Sequence, residues 1–159
     1  VKHVGDRADI ATTVLAGDAY AALGDWAKAR AAWRASQEMA LANPEPFNRQ
    51  WTLFQLEHGV ALHETRALLE REIAIRQDVY GWDQLALARY LTGDISGAKA
   101  AIDEAMTSGT QDANLLYHAA IIARAHGDTL EARLLAGKAL AINPRFHHRD
   151  ADKARTIAR

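Results

Sequence analysis

The chain has 159 residues, 49% hydrophobic and 25% charged, with 19 basic and 20 acidic side chains and a formal net charge of −1. That apolar fraction is ample for a core, and the charge balance gives no electrostatic case for nucleic acid or an anionic membrane as partner. The absence of cysteine excludes disulfides, thiolate metal sites and a cysteine nucleophile, and no apolar run approaches the roughly 20 residues of a membrane span.

Alanine is the commonest residue and proline occurs only three times, a mixture that favours helices. The length suits one ordinary domain or a stack of four to five short units. The sequence opens on Val1 rather than Met, which fits a mature chain or an excised fragment. Val1–Gly5 reads as an irregular lead-in. Ile10, Val14, Leu15, Ala19 and Ala22 then recur at helical spacing and predict a first helix from about Asp6 to Leu23. Gly17 inside it costs about 1 kcal/mol of helix propensity, so close approach of another helix is expected there. Gly24 ends the helix as a left-handed cap, and Asp25 can cap the next.

A second helix spans about Trp26 to Ala42 and stops at Asn43-Pro44, because the residue before proline is driven out of the helical region. Pro46 suits the first turn of a third helix, about Glu45 to His58, which carries Phe47, Trp51 and Phe54. A fourth runs from about Leu62 to Gln77 with a heavy charge load. Within it Glu72 stands one turn before Arg76, either on a salt-bridged solvent face or in a buried place where an arginine from a neighbouring helix fixes the stacking. The fifth to eighth helices are expected at about Val79–Thr92, Ile95–Ser108, Asp112–His126 and Thr129–Ile142, the last stopped by Asn143-Pro144. Asp150 to Ala158 reads as a short, half-polar closing helix. No strand signal interrupts these elements, and the short loops make consecutive helices antiparallel neighbours.

Corners punctuate this series at a fixed interval. Gly24-Asp25, Gly59, Gly93-Asp94 and Gly127-Asp128 are spaced 35, 34 and 34 residues apart. Such a period is the mark of stacked helical pairs, each unable to bury its apolar face alone. The extra residue in the first step places an insertion near the Gly59 corner.

These residues resemble tetratricopeptide repeats. From Ala113 to Pro144 the small residues Ala120, Ala132 and Ala139, the Gly-Asp corner and the closing proline stand where that family has them. The unit from Val79 matches with Trp82, Leu85, Ala86, Gly93, Asp94, Ala98 and Ala105. The unit from Ile10 matches with Gly17, Tyr20, Gly24, Asp25, Trp26, Ala29 and Trp33, and its second helix is about three residues long for the pattern. The unit from Glu45 is the least regular, with Thr52 and either Thr65 or Glu64 in place of small apolar residues. The resemblance implies an all-α solenoid of antiparallel helix pairs, a right-handed superhelix with a C-terminal capping helix. It implies a single domain over 1–159 with repeats at about 10–44, 45–78, 79–112 and 113–146 and the cap at about 150–158.

Proteins of that family are generally non-catalytic interaction scaffolds that hold a peptide or helix of a partner in a concave groove lined by the first helix of each pair. Transferred to this sequence, the groove positions are Val14 and Asp18 in the first unit; Arg49, Leu53 and Leu56 in the second; Tyr80, Asp83, Leu87 and Tyr90 in the third; and Asn114, Tyr117, Ile121 and Arg124 in the fourth. Tyr90 and Tyr117 serve either a ligand or the packing between repeats. The family subtype that grips a terminal carboxylate does so with Lys, Asn and Arg. Val14 and Asp18 stand in the first unit instead, and Asp18 repels a carboxylate. The alternative to a groove binder is a structural domain that self-assembles as a homo-oligomer or docks within a larger chain.

Nothing in the sequence carries an enzymatic motif: G-x-S-x-G, the Walker loop and G-x-G-x-x-G are all missing. The seven histidines include no i, i+4 pair of the zinc-helix kind, and no nearby acid completes a site, so neither metal nor cofactor is expected.

Overall fold

The computed structural model describes residues 9–42, 48–147 and 149–159. The expected lead-in Val1–Gly5, a helix start at Asp6 or Glu45, the Asn43-Pro44 stop, Pro46, Phe47 and His148 lie outside the described residues. Among the described residues there are nine helices and no strand: α1 (Ile10–Ala22), α2 (Trp26–Ala42), α3 (Arg49–His58), α4 (Leu62–Ile75), α5 (Val79–Leu91), α6 (Ile95–Met106), α7 (Ala113–His126), α8 (Thr129–Ile142) and α9 (Asp150–Ile157). The class is all-α, and helix pairs pack against their neighbours in the manner of a solenoid. The chain divides into two compact units, Val1–His58 and Gly59–Arg159.

In the first unit, α1 and α2 form an antiparallel pair and α3 packs against both. Asp9 is the N-cap of α1, its Oδ1 accepting the Thr12 N–H at 2.7 Å. Gly24 turns the chain at φ 79°, and Asp25 Oδ1 accepts the Lys28 N–H at 3.2 Å. The close approach expected at Gly17 is present. A Cβ there would stand 2.4 Å from Cδ1 and Nε1 of Trp33, so glycine is what lets the indole of α2 lie on α1. Among the described residues of this unit the buried apolar side chains are Ala29 and Ala40 from α2 and Phe54 and Leu56 from α3. Buried Thr52 and Ser36 return their hydroxyls to carbonyls of the preceding turn, at Arg49 (3.1 Å) and Ala32 (3.1 Å).

The second unit is a run of packed neighbours. Each helix from α4 to α9 packs on the next, and α5 also packs on α7 and α7 on α9. Its core is made of large apolar chains, with Leu69, Leu85, Ile102, Leu115, Leu116 and Ile122 wholly buried. Alanines at Ala86, Ala98, Ala120, Ala132 and Ala139 let the backbones approach. Asp78, Asp94 and Asp112 cap α5, α6 and α7 with their side chains. At the irregular corner two residues, Val60 and Ala61, separate the glycine from the helix, where Gly24, Gly93 and Gly127 are each followed by one. At this longer corner Ala61 lies in the left-handed region at φ 48°, a conformation that strains any residue with a Cβ.

Glu72 is wholly buried, not on a solvent face, and it pairs with Arg76, the C-cap residue of α4. Arg76 also lies 3.6 Å from Asp78, so the pair ties the end of α4 to the start of α5. Arg66 joins α4 to the next corner by donating to Thr92 Oγ1 at 3.1 Å and Asp94 Oδ2 at 2.9 Å.

Candidate functional site

The first helices carry the residues expected to line an interaction surface. In the first unit these are α1 and α3. Val14, Arg49 and Leu53 are half-buried, whereas Asp18 and Leu56 are buried. In the second unit they are α5 and α7, which pack side by side. Tyr80 is 51% exposed, Asn114 and Arg124 are exposed, and Tyr90 and Ile121 are half-buried. Asp83, Leu87 and Tyr117 face inward and are buried. The accessible part of the α5–α7 face is therefore two tyrosines, an amide, an aliphatic chain and an arginine.

Tyr117 packs its ring against Phe146 at 5.5 Å between centroids, and its hydroxyl approaches Asp150 Oδ1 to 3.5 Å. Burial, reinforced by the Asp150 charge, pushes the phenol well above its usual range, so it stays a neutral donor. For Asp150, burial on its own works the other way and raises the pKa. Contacts from His147 (2.9 Å) and Lys153 (2.8 Å) outweigh it and hold the carboxyl well below the usual carboxylate range. This cluster fastens the start of α9 to α7.

Arg124 also lines a recess of about 120 Å³ between α7, α8 and α9. Its other lining residues are Thr129, Ala132, Arg133, Thr156, Ile157 and Arg159. Three arginines and two threonines line it, with no acidic side chain among the lining residues. Arginine presents a planar fork of donors matched to carboxylate oxygens.

Two further groupings pair residues far apart in sequence. In the second unit His118 of α7 lies 2.9 Å, Nδ1 to Oδ1, from Asp83 of α5, and both are buried. In the first unit Asp18 of α1 comes together with Glu57 and His58 at the end of α3. One ligand-type atom of each lies within 4.8 Å of the other two. The Trp33 indole donates to Asp18 Oδ1 at 3.2 Å, and His58 Nε2 lies 3.3 Å from the same oxygen.

Sequence reasoning placed Asp18 and Asp83 in a ligand groove and did not pair either with a histidine. The one available signal was the occurrence of Asp18, Asp83 and His118 at inward positions of first helices, where an unpaired polar group is costly. Arg133 was missed because it belongs to a second helix, outside the groove positions the resemblance supplies. No model of a known protein family matches the chain, and no curated protein matches it.

Proposed function

We propose that the chain is a non-catalytic helical-repeat module of the tetratricopeptide type that binds a segment of a protein partner. Within that reading, the ligand is an acidic segment whose carboxylates enter the α7–α8–α9 recess. The observation that carries it is that Arg124, Arg133 and Arg159 line one recess with no acidic side chain in its lining, in a chain whose overall charge is near zero. Arg124 belongs both to this recess and to the accessible face of α5 and α7, which offers Tyr80, Tyr90, Asn114 and Ile121. Tyrosine and arginine are the residues that most often dominate interface energetics.

Fluorescence anisotropy with a labelled Asp/Glu-rich peptide tests it. Binding should weaken with salt, and Arg124→Glu with Arg133→Glu should reduce affinity at least about tenfold, since like charges then oppose each other in the recess. An unchanged affinity in the double variant, or equal capture of a single-stranded oligonucleotide, would overturn the acidic-peptide reading.

A second reading, self-assembly, is favoured by a different observation. Leu130 and Leu134 lie one turn apart on α8 and are 73% and 58% exposed. A concentration-dependent dimer in light scattering that Leu134→Glu dissolves would support it. A monomer at every concentration would exclude it. No helix among the described residues is long and apolar enough to cross a membrane.

A further inference from the structure

We infer that Asp18, Glu57 and His58 form a binding site for a divalent transition-metal ion of the zinc type, clipping the end of α3 to α1 within the first unit. The donor set is two carboxylates and one imidazole, which together neutralise a dication when the imidazole is neutral. Zinc accepts this combination of oxygen and nitrogen ligands.

The distances are those of a site poised to close. Around a tetrahedral ion with bonds of about 2.0–2.1 Å, ligand atoms stand about 3.3–3.4 Å apart. His58 Nε2 and Asp18 Oδ1 are 3.3 Å apart. That contact lacks hydrogen-bond alignment, leaving Nε2 fully buried without a hydrogen-bond partner. A metal ion between the two atoms would give this buried nitrogen a well-directed bond in place of the misaligned Asp18 contact. All three ligand atoms already lie within 4.8 Å of one another, so Glu57 completes the donor set.

The surroundings fix the ligands in advance. The His58 ring meets Trp33 edge-on at 4.7 Å and lies against Phe54 at 4.4 Å, so its nitrogen has little freedom to turn away. The Trp33 N–H holds Asp18 from behind, in the manner of the outer hydrogen bonds that orient metal ligands. Gly17 is what admits the indole to that position. The three protein ligands leave one position for water.

A clip here has a structural purpose. Among the described residues the wholly buried large apolar side chains belong to the second unit, and the first unit buries mostly alanine, threonine and serine beside Phe54 and Leu56. A bond between residues 18 and 58 closes a long loop, where a cross-link removes the most chain entropy.

Titration of the full chain, first freed of metal with a chelator, with Co²⁺ tests the site, because tetrahedral Co²⁺ absorbs visible light intensely. One Co²⁺ per chain should bind, Zn²⁺ should displace it, and Zn²⁺ should raise the melting temperature. His58→Gln and Glu57→Gln should each weaken Zn²⁺ binding at least tenfold, and Trp33→Phe should weaken it about tenfold through Asp18. His147→Gln, in the other unit, should leave binding unchanged. Helix content by circular dichroism checks each variant, and Glu57, the more peripheral ligand, decides the matter if His58→Gln unfolds. No Co²⁺ band, or a band that survives Glu57→Gln in a folded chain, would overturn the site. Neither outcome touches the acidic-peptide reading, which rests on the other unit.

Discussion

Each unit buries an aspartate–histidine pair between its first helices, and the two pairs differ. In the second unit Asp83 and His118 meet at 2.9 Å in a hydrogen bond, in a core filled by leucine and isoleucine. In the first unit Asp18 and His58 stand 3.3 Å apart and out of alignment, with a second carboxylate beside them and aromatic rings around the imidazole. A well-filled core lets a polar pair close on itself and serve as a register pin between helices. A core short of apolar volume leaves the same residue types misaligned, with a second carboxylate close by.

The largest effect should come from opening the closed pair. Asp83→Ala removes a buried partner of the His118 imidazole, and that loss should cost about 3 kcal/mol. Denaturant unfolding checks it. A loss below about 0.5 kcal/mol would mean that the pair does not hold α5 against α7. Zn²⁺ stabilisation of the first unit should survive this substitution, which sharpens the contrast between a pin and a ligand set.

Glycine offers the same substitution with opposite signs in the two units. At Gly17 an added methyl gains about 1 kcal/mol of helix propensity but stands 2.4 Å from a rigid indole. Displacing that ring costs about 1–3 kcal/mol in strain, and the Asp18 hydrogen bond is lost with it. Gly17→Ala should therefore destabilise by about 1–2 kcal/mol net. At Gly137, inside α8, a Cβ meets nothing within 4 Å, so Gly137→Ala should stabilise by about 1 kcal/mol. Melting curves of the two variants give the signs directly. A rise for Gly17→Ala would show that the Trp33 indole is free to move and does not position Asp18.

The same contrast explains what was legible in the sequence. Helix boundaries were readable because local signals set them. Gly24, Gly93 and Gly127 mark the corners, and the predicted bounds of α2 and α8 coincide with those observed. The 35-residue step before Gly59 was readable as a broken period, but the extra corner residue that leaves Ala61 left-handed lies after Gly59, in a step of the regular 34, and was not. Glu72 was readable as anomalous but not as buried beside its own Arg76, because helical spacing gives the pair and not its depth. The polar clusters were illegible for a different reason. Asp18 to His58 and Asp83 to His118 span 40 and 35 residues, and whether a histidine faces an aspartate across two helices depends on helix rotation. Hydrophobic period fixes that rotation only coarsely.

A third aspartate–histidine contact, at the start of α9, is partly exposed and should have the smallest effect. The Asp150 carboxyl sits well below the usual carboxylate range: burial alone would raise it, and the contacts from His147 and Lys153 outweigh burial. Its folded-state pKa is thus below its unfolded value of about 4, so in acid the unfolded chain takes up the proton first. The stabilisation is complete above about pH 4 and fades as pH falls below it toward the folded-state pKa. On the scale of a partly exposed ion pair it amounts to less than about 1 kcal/mol. Other carboxylates also titrate in this range, so the informative quantity is a difference. The melting temperature of the chain should fall more steeply from pH 5 to pH 3 than that of Asp150→Asn, and the two should run parallel above pH 5. Parallel curves throughout would mean that Tyr117 and Phe146 dock α9 by packing alone, making the second unit's polar contacts pins only where they are buried.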